Sequence, residues 1–240
     1  MKKIIKTILL LFFNSYRNQQ FLPGFLGVFM NPFYIIRRRL YKQIKLNAHF
    51  IKGKVLDYGC GISPYKNLFN YDEYIRADIE NKDDRTIVLI DDLKNIYKND
   101  YFDSILCTEV LEHVENYSNV VDEFKILLKP NGYLLLTTPF VWPVHGHPQD
   151  YRRFTQNGIE KMLSEKGFKI LKTIRTSNYY ETIIQLILFH VFSKLQSRFI
   201  FCNFVVSLFL SPLTIFGLFL SVFIHDKTIY LNNFIIAEKK

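Results

Sequence analysis

The residues best placed to do chemistry begin with an acid and two glycines. Asp57, Gly59 and Gly61 follow an apolar pair in the run VLDYGCG. Glycines one residue apart allow a sharp turn with positive φ, and a ligand can lie against a backbone that has no Cβ. The run predicts a buried parallel strand that ends in a cofactor-binding turn, at the edge where open α/β sheets bind ligands.

A second acid supports the same cofactor site. Asp78 ends the run YIRAD, about twenty residues beyond the turn, where an acid can reach a cofactor ribose. The turn lacks the third glycine that a dinucleotide fold uses at the pyrophosphate, and Asp57 would repel that group. A cofactor with a sulfonium and an ammonium group suits Asp57 better. The pattern therefore favours S-adenosylmethionine (SAM) over NAD.

Three further motifs continue the series in order. They are Asp91-Asp92-Leu93, the run FDSILCTEVLEHV from Phe102 to Val114, and the run LLKPNGYLLL from Leu127 to Leu136. With the glycine turn, they resemble class I SAM-dependent methyltransferases of the type 11-like group over residues 50 to 175. The resemblance implies an α/β, Rossmann-like, doubly wound sheet of seven strands, mostly parallel with an antiparallel edge strand.

The resemblance also implies cofactor-binding residues. Asp57 and the turn of Gly59, Cys60 and Gly61 would hold the methionine part of SAM, and Asp78 would accept hydrogen bonds from the ribose hydroxyls. Asp91 stands at the position of the adenine-side acid. Asp92 is an equally placed alternative, and one of the two would be only a helix cap.

Glu109 and His113 follow the fourth strand, which the resemblance places beside the methyl donor. Four residues apart, they would share one face of a helix, and a helix is predicted over Val110–Val114. Glu109 is assigned to the cofactor. A histidine at this place can act as a general base, because its usual pKa lies near neutrality. His113 can equally be a structural residue that packs below the cofactor.

Reactive side chains crowd the segment from Pro139 to Thr155. His145 or His147, with Asp150, can deprotonate a substrate hydroxyl, and Arg152 and Arg153 can bind a phosphate or carboxylate. The segment resembles one in methyltransferases from bacterial surface-glycan gene clusters. A metal held by the two histidines and Asp150 would lack a further ligand, so no metal is predicted. The alternative is a loop held onto the domain by Tyr151 and Phe154.

The elements that position these residues alternate strand and helix, which is typical of βαβ units. Strands are predicted near Lys54–Tyr58, Tyr74–Asp78, Ile87–Ile90, Phe102–Cys107, Gly132–Thr138, Phe168–Thr173 and Ile229–Ala237. Further helices are predicted at Tyr65–Phe69, Asn119–Leu128 and Gln156–Lys166. A turn over Lys129–Gly132 would separate a helix from a strand.

Composition restricts the partners. The net charge of the 240 residues is +9 and 49% of them are hydrophobic, which favours a membrane surface or an anionic partner. No nucleic-acid-binding module is visible. The three cysteines are an odd, widely spaced set, so they indicate reduced thiols in the cytoplasm.

The predicted organisation has three parts: a helical extension over residues 1–50, a methyltransferase domain over 51–178 and 225–240, and an apolar helical insertion over 179–224. The N-terminal apolar run imitates a signal peptide. It has no small-residue cleavage site and is too short to span a bilayer, so it predicts a helix at an interface or over the domain.

The insertion is the unusual part. Residues 199–224 include no charged side chain and are long enough to span a membrane. The strands on either side share one sheet, so the insertion crosses an even number of times or not at all. Pro212 is predicted to break the run, which favours two short helices or a helical hairpin at the cytoplasmic membrane surface. Lys194, Arg198, His225 and Lys227 would anchor it. A lid or a homodimer interface is the alternative.

Three functions follow as hypotheses. The first is O-methylation of a glycan or a polyprenyl-linked sugar by a peripheral protein at the inner face of the plasma membrane. The second is methylation of a lipid or a quinone, which predicts an apolar tunnel in place of a polar cleft. The third is a catalytically inactive adenosyl-binding module.

Overall fold

The computed structural model describes residues 2–81 and 86–240, and the chain divides into two compact units. The sheet unit comprises Gln43–Thr176 and Leu231–Lys240, and the helical unit comprises Met1–Lys42 and Ser177–Tyr230. The chain therefore passes between the units three times.

The sheet unit is built on seven strands. They are β1 (Lys52–Tyr58), β2 (Asn70–Asp78), β3 (Ile87–Leu89), β4 (Phe102–Thr108), β5 (Leu128–Pro139), β6 (Phe168–Arg175) and β7 (Asn232–Lys239), in the order β3-β2-β1-β4-β5-β7-β6. The pairs from β3 to β5 are parallel, and β7 is antiparallel to both β5 and β6. The predicted fold class is confirmed, with the antiparallel strand lying second from the edge.

Helices in the described part of the chain complete both units. They are α1 (Lys2–Phe21), α2 (Gly27–Met30), α3 (Tyr34–Leu46), α4 (Leu93–Ile96), α5 (Tyr117–Leu127), α6 (Gln156–Glu165), α7 (Tyr179–Leu195) and α8 (Ile200–Phe223). The predictions for α5 and α6 agree with these bounds to within two residues. The side chain of Thr155 begins α6 by accepting a hydrogen bond from the amide of Gly158, 3.1 Å away.

The register of the central strands creates the ligand-binding edge. Tyr58, at the end of β1, lies beside Ala77 of β2 and Cys107 of β4. The central strands are apolar runs buried on both faces, as parallel strands require. Strand order reverses between β1 and β4, and the carboxyl edge at such a reversal is where open α/β sheets form their binding crevice.

Two predicted helices are wrong. The segments 65–69 and 110–114 each contain only a single 3-10 turn, over Lys66–Leu68 and Leu111–His113. The connection between β1 and β2 is short, and the glycine turn takes up its first half, so few residues remain for a helix. Ahead of the second segment, Glu109 has a φ of 54°, which interrupts any helix that would continue from the end of β4.

The predicted strand ends also need correction. β7 begins at Asn232, three residues later than predicted, and continues to Lys239. The predicted turn at Lys129–Gly132 lies inside β5, where an irregularity in the pairing with β4 accommodates it. Asn131 has a φ of 61° there, a conformation that asparagine tolerates better than most residues.

Pro212 does not break the apolar run. It lies inside α8, which continues from Ile200 to Phe223. Proline cannot donate to the carbonyl of Leu208, and the hydroxyl of Ser211 donates to that oxygen instead, at 2.7 Å. The hairpin turns at residues 196–199, where the side chain of Asn203 bonds to both backbone groups of Ser197.

Candidate active site

The turn after β1 has the predicted conformation. Gly59 and Gly61 have φ values of 68° and 49°, and the amides of Gly59 and Cys60 both donate to the carbonyl of Ala77. A Cβ on Gly59 would lie 2.4 Å from Val110 Cγ2, whereas a Cβ on Gly61 would meet nothing within 4 Å. Gly59 is therefore required by packing, and Gly61 leaves open space beside the backbone.

Asp57 lies beneath this turn, with 3% of its surface exposed. Its Oδ2 accepts a hydrogen bond from the hydroxyl of Tyr74 at 2.8 Å. Burial raises the pKa of Asp57 to about 6, although hydrogen bonds from Ser63 and Tyr74 oppose the rise. Asp57 lines neither of the two cavities described below, and its hydrogen bond with Tyr74 connects β1 to β2.

Cys60 is also buried. Its Sγ lies 3.6 Å from the carbonyl of Gly61 and 3.9 Å from Asp78 Oδ2. Burial, reinforced by the charges of Asp57 and Asp78, raises the pKa of the thiol to about 11. The thiol is therefore protonated at neutral pH, and its role is to pack inside the turn.

Asp78 joins the ends of β1 and β2. Its Oδ2 accepts from the amide of Gly61 and its Oδ1 from the amide of Ile79, both at 2.8 Å. Arg76 spans the same turn by donating to Ser63 Oγ and to the carbonyl of Gly61. Each carboxylate oxygen of Asp78 has a second lone pair for a ligand.

Two cavities lie at this edge and share Asp78. One has a volume of about 450 Å³ and is lined also by Gly61 and Arg76. The other, of about 700 Å³, includes Asp91, Glu109 and His113 in its lining. Asp92 is outside the linings of both and stands at the start of α4, so Asp91 is the acid of the pair that faces a cavity.

Glu109 is fixed by a residue distant in sequence. Its Oε2 accepts a hydrogen bond from Asn232 Nδ2 at 2.6 Å, and its amide donates to the carbonyl of Thr137. Asn232 is fully buried at the start of β7. The antiparallel strand thus determines where the Glu109 carboxylate lies in the cavity wall.

Glu112, His113 and His145 form a cluster beside the larger cavity. The rings of His113 and His145 meet edge to face, with centroids 4.7 Å apart. Glu112 Oε1 lies 3.8 Å from His113 Nε2, and burial raises the pKa of the Glu112 carboxyl well above its usual value. Burial lowers the pKa of His145, so its ring is neutral at neutral pH.

The loop between β5 and α6 is held by two arginines. Arg153 forms a bidentate pair with Asp150, at 2.5 and 2.8 Å, and also donates to the carbonyls of Trp142 and Pro143. This bonding keeps the pKa of the Asp150 carboxyl well below its usual value. Arg152 donates to the carbonyls of Val114 and Glu115.

The loop is held in a different way from the predicted one. The two arginines stabilise it through these hydrogen bonds, and phosphate or carboxylate binding by them stays a prediction. These arginines and the buried Phe154 hold the loop onto the domain, whereas Tyr151 is 46% exposed. Asp150 Oδ2 lies 3.5 Å from His145 Nδ1 and accepts from the His145 amide, but His147 is exposed on the loop.

Comparison with known proteins now defines the family. A family model described as a methyltransferase domain matches residues 34–173, which is more than half of the chain. The chain belongs to the methyltransferase-domain family. A search of curated proteins gives no match.

Solved structures resemble this methyltransferase in fold. A SAM dependent methyltransferase from Archaeoglobus fulgidus is 14% identical, with a TM-score of 0.54 over 90% of this chain and 100% of that chain. The cyclase SpnF is 16% identical, with a TM-score of 0.52 over 85% of this chain and 81% of the other. Phosphoethanolamine N-methyltransferase 2 from Haemonchus contortus, in complex with SAM, is 15% identical, with a TM-score of 0.52 over 90% of this chain and 56% of that chain.

The protein is a class I SAM-dependent methyltransferase, and SAM is its cofactor. The site fits SAM in two respects. The open space at Gly61 allows a ligand to lie against the backbone. Five acids, Asp78, Glu80, Asp91, Glu109 and Glu123, line the larger cavity, and their charges suit a cofactor with a sulfonium and an ammonium group.

The fold thus brings most of the predicted residues of this methyltransferase to one edge of the sheet. Gly59, Asp78, Asp91, Glu109 and His113 line the larger cavity, with His145 against His113. Sequence reasoning missed Asn232, although the polar pair Asn232-Asn233 before an apolar strand is a visible signal. It also gave no role to Glu112. The sequence EVLEHV does not show that this residue is buried beside the two histidines.

Proposed function

We propose that this methyltransferase methylates a hydroxyl of a glycan or a polyprenyl-linked sugar at a membrane surface. Two observations support the proposal. Polar side chains, among them His113 and Gln149, line part of the larger cavity, and α8 exposes its large apolar side chains while burying its small polar ones. The second observation carries the membrane part of the proposal.

At the cofactor end, Asp78 would accept hydrogen bonds from the ribose hydroxyls and Asp91 one from the adenine amino group. The open backbone at Gly61 would lie along the methionine part. The cofactor supplies an activated methyl group on a positively charged sulfur. The protein must therefore align an acceptor oxygen and take its proton.

The acceptor end contains groups for both tasks. His113, Asn116, Asn119 and Gln149 line the larger cavity and can orient sugar hydroxyls. His145 is next to His113 and is neutral at neutral pH, so an imidazole is available to receive the acceptor proton. These polar side chains are the support for a sugar as the acceptor.

α8 has an inverted pattern of burial. Its buried positions are Ser207, Ser211, Thr214 and Gly217, whereas its exposed positions carry bulky apolar side chains: Phe201, Leu208, Phe209, Ile215, Phe216, Phe219, Val222 and Phe223. Small residues inside and apolar residues outside are typical of helices that contact lipid. Exposed apolar patches of this size mark interaction surfaces in soluble proteins.

The small face allows α8 to approach α7 closely. A Cβ on Gly217 would lie 3.0 Å from Ile184. Arg39, a residue of α3, pairs with the buried Glu181 of α7 and also donates to Ser221 of α8. The helical unit thus has charged and polar groups in its interior beside α8, which is the arrangement expected when lipid covers the outer face.

The two ends of the α7–α8 hairpin are held together. Asn178 Nδ2 donates to the carbonyl of Ile224 at 2.7 Å, and the amide of Tyr179 donates to the carbonyl of Asp226. Both ends would therefore lie on one side of the bilayer. The sheet requires this, because β6 and β7, which flank the hairpin in the chain, belong to the same sheet. Of the helices in the described residues, only α8 has the length and composition to cross a membrane. Lys194, Arg198 and Lys227 would face the headgroups.

Vesicle flotation tests the membrane part. The protein should float with vesicles of phosphatidylglycerol and phosphatidylcholine. The double variant Phe209→Glu and Phe216→Glu should remain in the soluble fraction, because two carboxylates on the outer face of α8 oppose contact with lipid. The matched control is Ile96→Glu, at a residue of α4 that is also exposed. It should float like the parent.

A different result would assign α8 to another partner. If the parent protein were a monodisperse dimer without lipid and the double variant a monomer, the outer face would be a contact between copies of the chain. Deleting residues 179–224 is a weaker test. It would also remove the partner of α2, which packs on α8.

The acceptor is tested by transfer of a labelled methyl group from SAM. Polyprenyl-linked sugars, free glycans and quinones are compared in the same vesicles. Label in the sugar fraction is the expected result. Label in the quinone fraction would favour the second function. SAM binding without transfer to any acceptor would favour a catalytically inactive module.

A further inference from the structure

A second chemical feature lies beside the proposed acceptor site. One carboxylate oxygen of Glu112 and one ring nitrogen each of His113 and His145 all lie within 4.8 Å of one another. The first two residues belong to the 3-10 turn after β4, and His145 belongs to the loop after β5. Two imidazoles and a carboxylate are ligands that suit a divalent transition-metal ion.

Backbone carbonyls orient both imidazoles. His113 Nδ1 lies 2.5 Å from the carbonyl of Gln149, and His145 Nδ1 lies 3.2 Å from the carbonyl of Pro143. A carbonyl can only accept, so each Nδ1 carries the hydrogen and each Nε2 keeps its lone pair when the ring is neutral. Histidines that ligate metals are held in the same way by a hydrogen bond at the other nitrogen.

Glu112 is the independent observation. Its side chain is 0% exposed, and neither oxygen accepts a hydrogen bond from another residue in the described part of the chain. A buried carboxylate without donors is costly, and buried polar groups are rarely left without a partner. A bound cation would supply the missing partner.

We propose that Glu112, His113 and His145 bind a divalent transition-metal ion, for which Zn²⁺ is the probe. Ligands on a tetrahedral zinc lie about 3.4 Å apart, so closing the site requires a movement of between about 1 and 2 Å. The loop residue His145 can provide it. Three protein ligands leave a position open, as in catalytic sites. His113 also lines the larger cavity, so that position is available to an oxygen of the acceptor.

This last step rests on the proposed methyl transfer to a hydroxyl. An acceptor oxygen at the open position would have a lower pKa than a free hydroxyl, and its proton would pass to water, because His145 as a metal ligand has no lone pair left to receive it. Metal binding itself can be measured without any acceptor. Failure of the metal site and failure of the proposed function are therefore distinguishable.

The experiment is equilibrium dialysis of the untagged, full-length protein against Zn²⁺, with the bound metal measured by elemental analysis. Every sample carries Cys202→Ser, because that exposed thiol can bind zinc by itself. The parent should bind one zinc ion per chain. Glu112→Gln and His145→Ala should each reduce the affinity at least tenfold.

His147→Ala is the matched control, since His147 is two residues away on the same loop and is exposed. It should bind zinc like the parent. The inference is overturned if the parent binds no stoichiometric zinc, or if His147→Ala loses as much affinity as His145→Ala. SAM binding is measured on the same samples. If SAM binds and zinc does not, the metal site is rejected and the methyltransferase function is not.

Discussion

At the scale of single residues, Asp57 shows how burial changes a role predicted from charge. The sequence suggests direct contact with the cationic end of SAM. The side chain instead lies under the glycine turn, bonded to Tyr74, with its pKa raised to about 6. Its charge can still favour a cationic cofactor through the turn, but an ionised carboxylate at this depth destabilises the fold.

Asp57→Asn should therefore separate stability from binding. A folded-state pKa above the unfolded value means that the parent loses stability as the pH rises from about 4 through 6. The asparagine variant should lack this loss, on the order of 2–3 kcal/mol, because it carries no charge. It should also bind SAM more weakly. Denaturant unfolding and calorimetry at several pH values measure both effects, and an unchanged pH dependence of stability would contradict the first.

Asp78 and Asp92 offer a second comparison at this scale. Asp78→Ala should weaken SAM binding by about 1–3 kcal/mol, because ribose hydroxyls and two backbone amides would lose an acceptor. Asp92→Ala should leave the affinity unchanged, since Asp92 lies outside both cavity linings. Calorimetric titration with SAM checks the pair. Equal losses would show that the adenine-side acid is misassigned.

At the scale of elements, the loop between β5 and α6 is a rigid support for the acceptor site. Arg153 connects Asp150 to carbonyls at the start of the loop, and Arg152 connects the loop to the segment that follows His113. The arginines thereby hold His145 against His113. Catalytic side chains on loops depend on such support, because small displacements reduce the rate strongly.

Arg153→Lys should lower turnover at least tenfold and change SAM affinity little. Lysine cannot reproduce the bidentate pair with Asp150 or the bonds to Trp142 and Pro143. The matched control is Arg175→Lys on β6, where the arginine donates to Gln156. Methyl-transfer kinetics and SAM titration check the prediction. A loss of SAM affinity equal to the loss of turnover would mean that the loop supports the cofactor.

At the scale of the whole molecule, two units of different character share one chain. The sheet unit buries an apolar core, and the helical unit carries a buried ion pair between Arg39 and Glu181 beside an outward apolar helix. The first arrangement is stable in water, and the proposed membrane contact would stabilise the second. The two units should therefore respond to different stabilising agents.

Unfolding of the full chain in detergent should show this difference. Glu181→Gln should lower the transition of the helical unit by about 1–3 kcal/mol, because it removes the charged partner of the partly exposed Arg39. SAM at a hundredfold excess over its Kd should raise only the transition of the sheet unit, by about 2.7 kcal/mol. Glu165→Gln breaks an exposed ion pair with Lys161 and should change neither. A single transition that responds to both changes would contradict independent units.

The sequence by itself determined the strands of the sheet and the acids and glycine turn at their carboxyl ends. Apolar runs are local features of the sequence, so they predict these strands without any knowledge of distant contacts. The acids and glycines at Asp57, Gly59, Gly61 and Asp78 follow directly from the strand ends. Each of these features depends on residues close together in the chain.

The tertiary structure decided what depends on distant contacts. Asn232 meets Glu109 only because β7 enters the sheet beside β5, and His145 meets Glu112 and His113 only because the loop folds back. Pro212 remains helical because Ser211 replaces the missing donor. Burial and pairing arise from the packing of separate segments, so the spacing of residues along the chain does not encode them in a readable form.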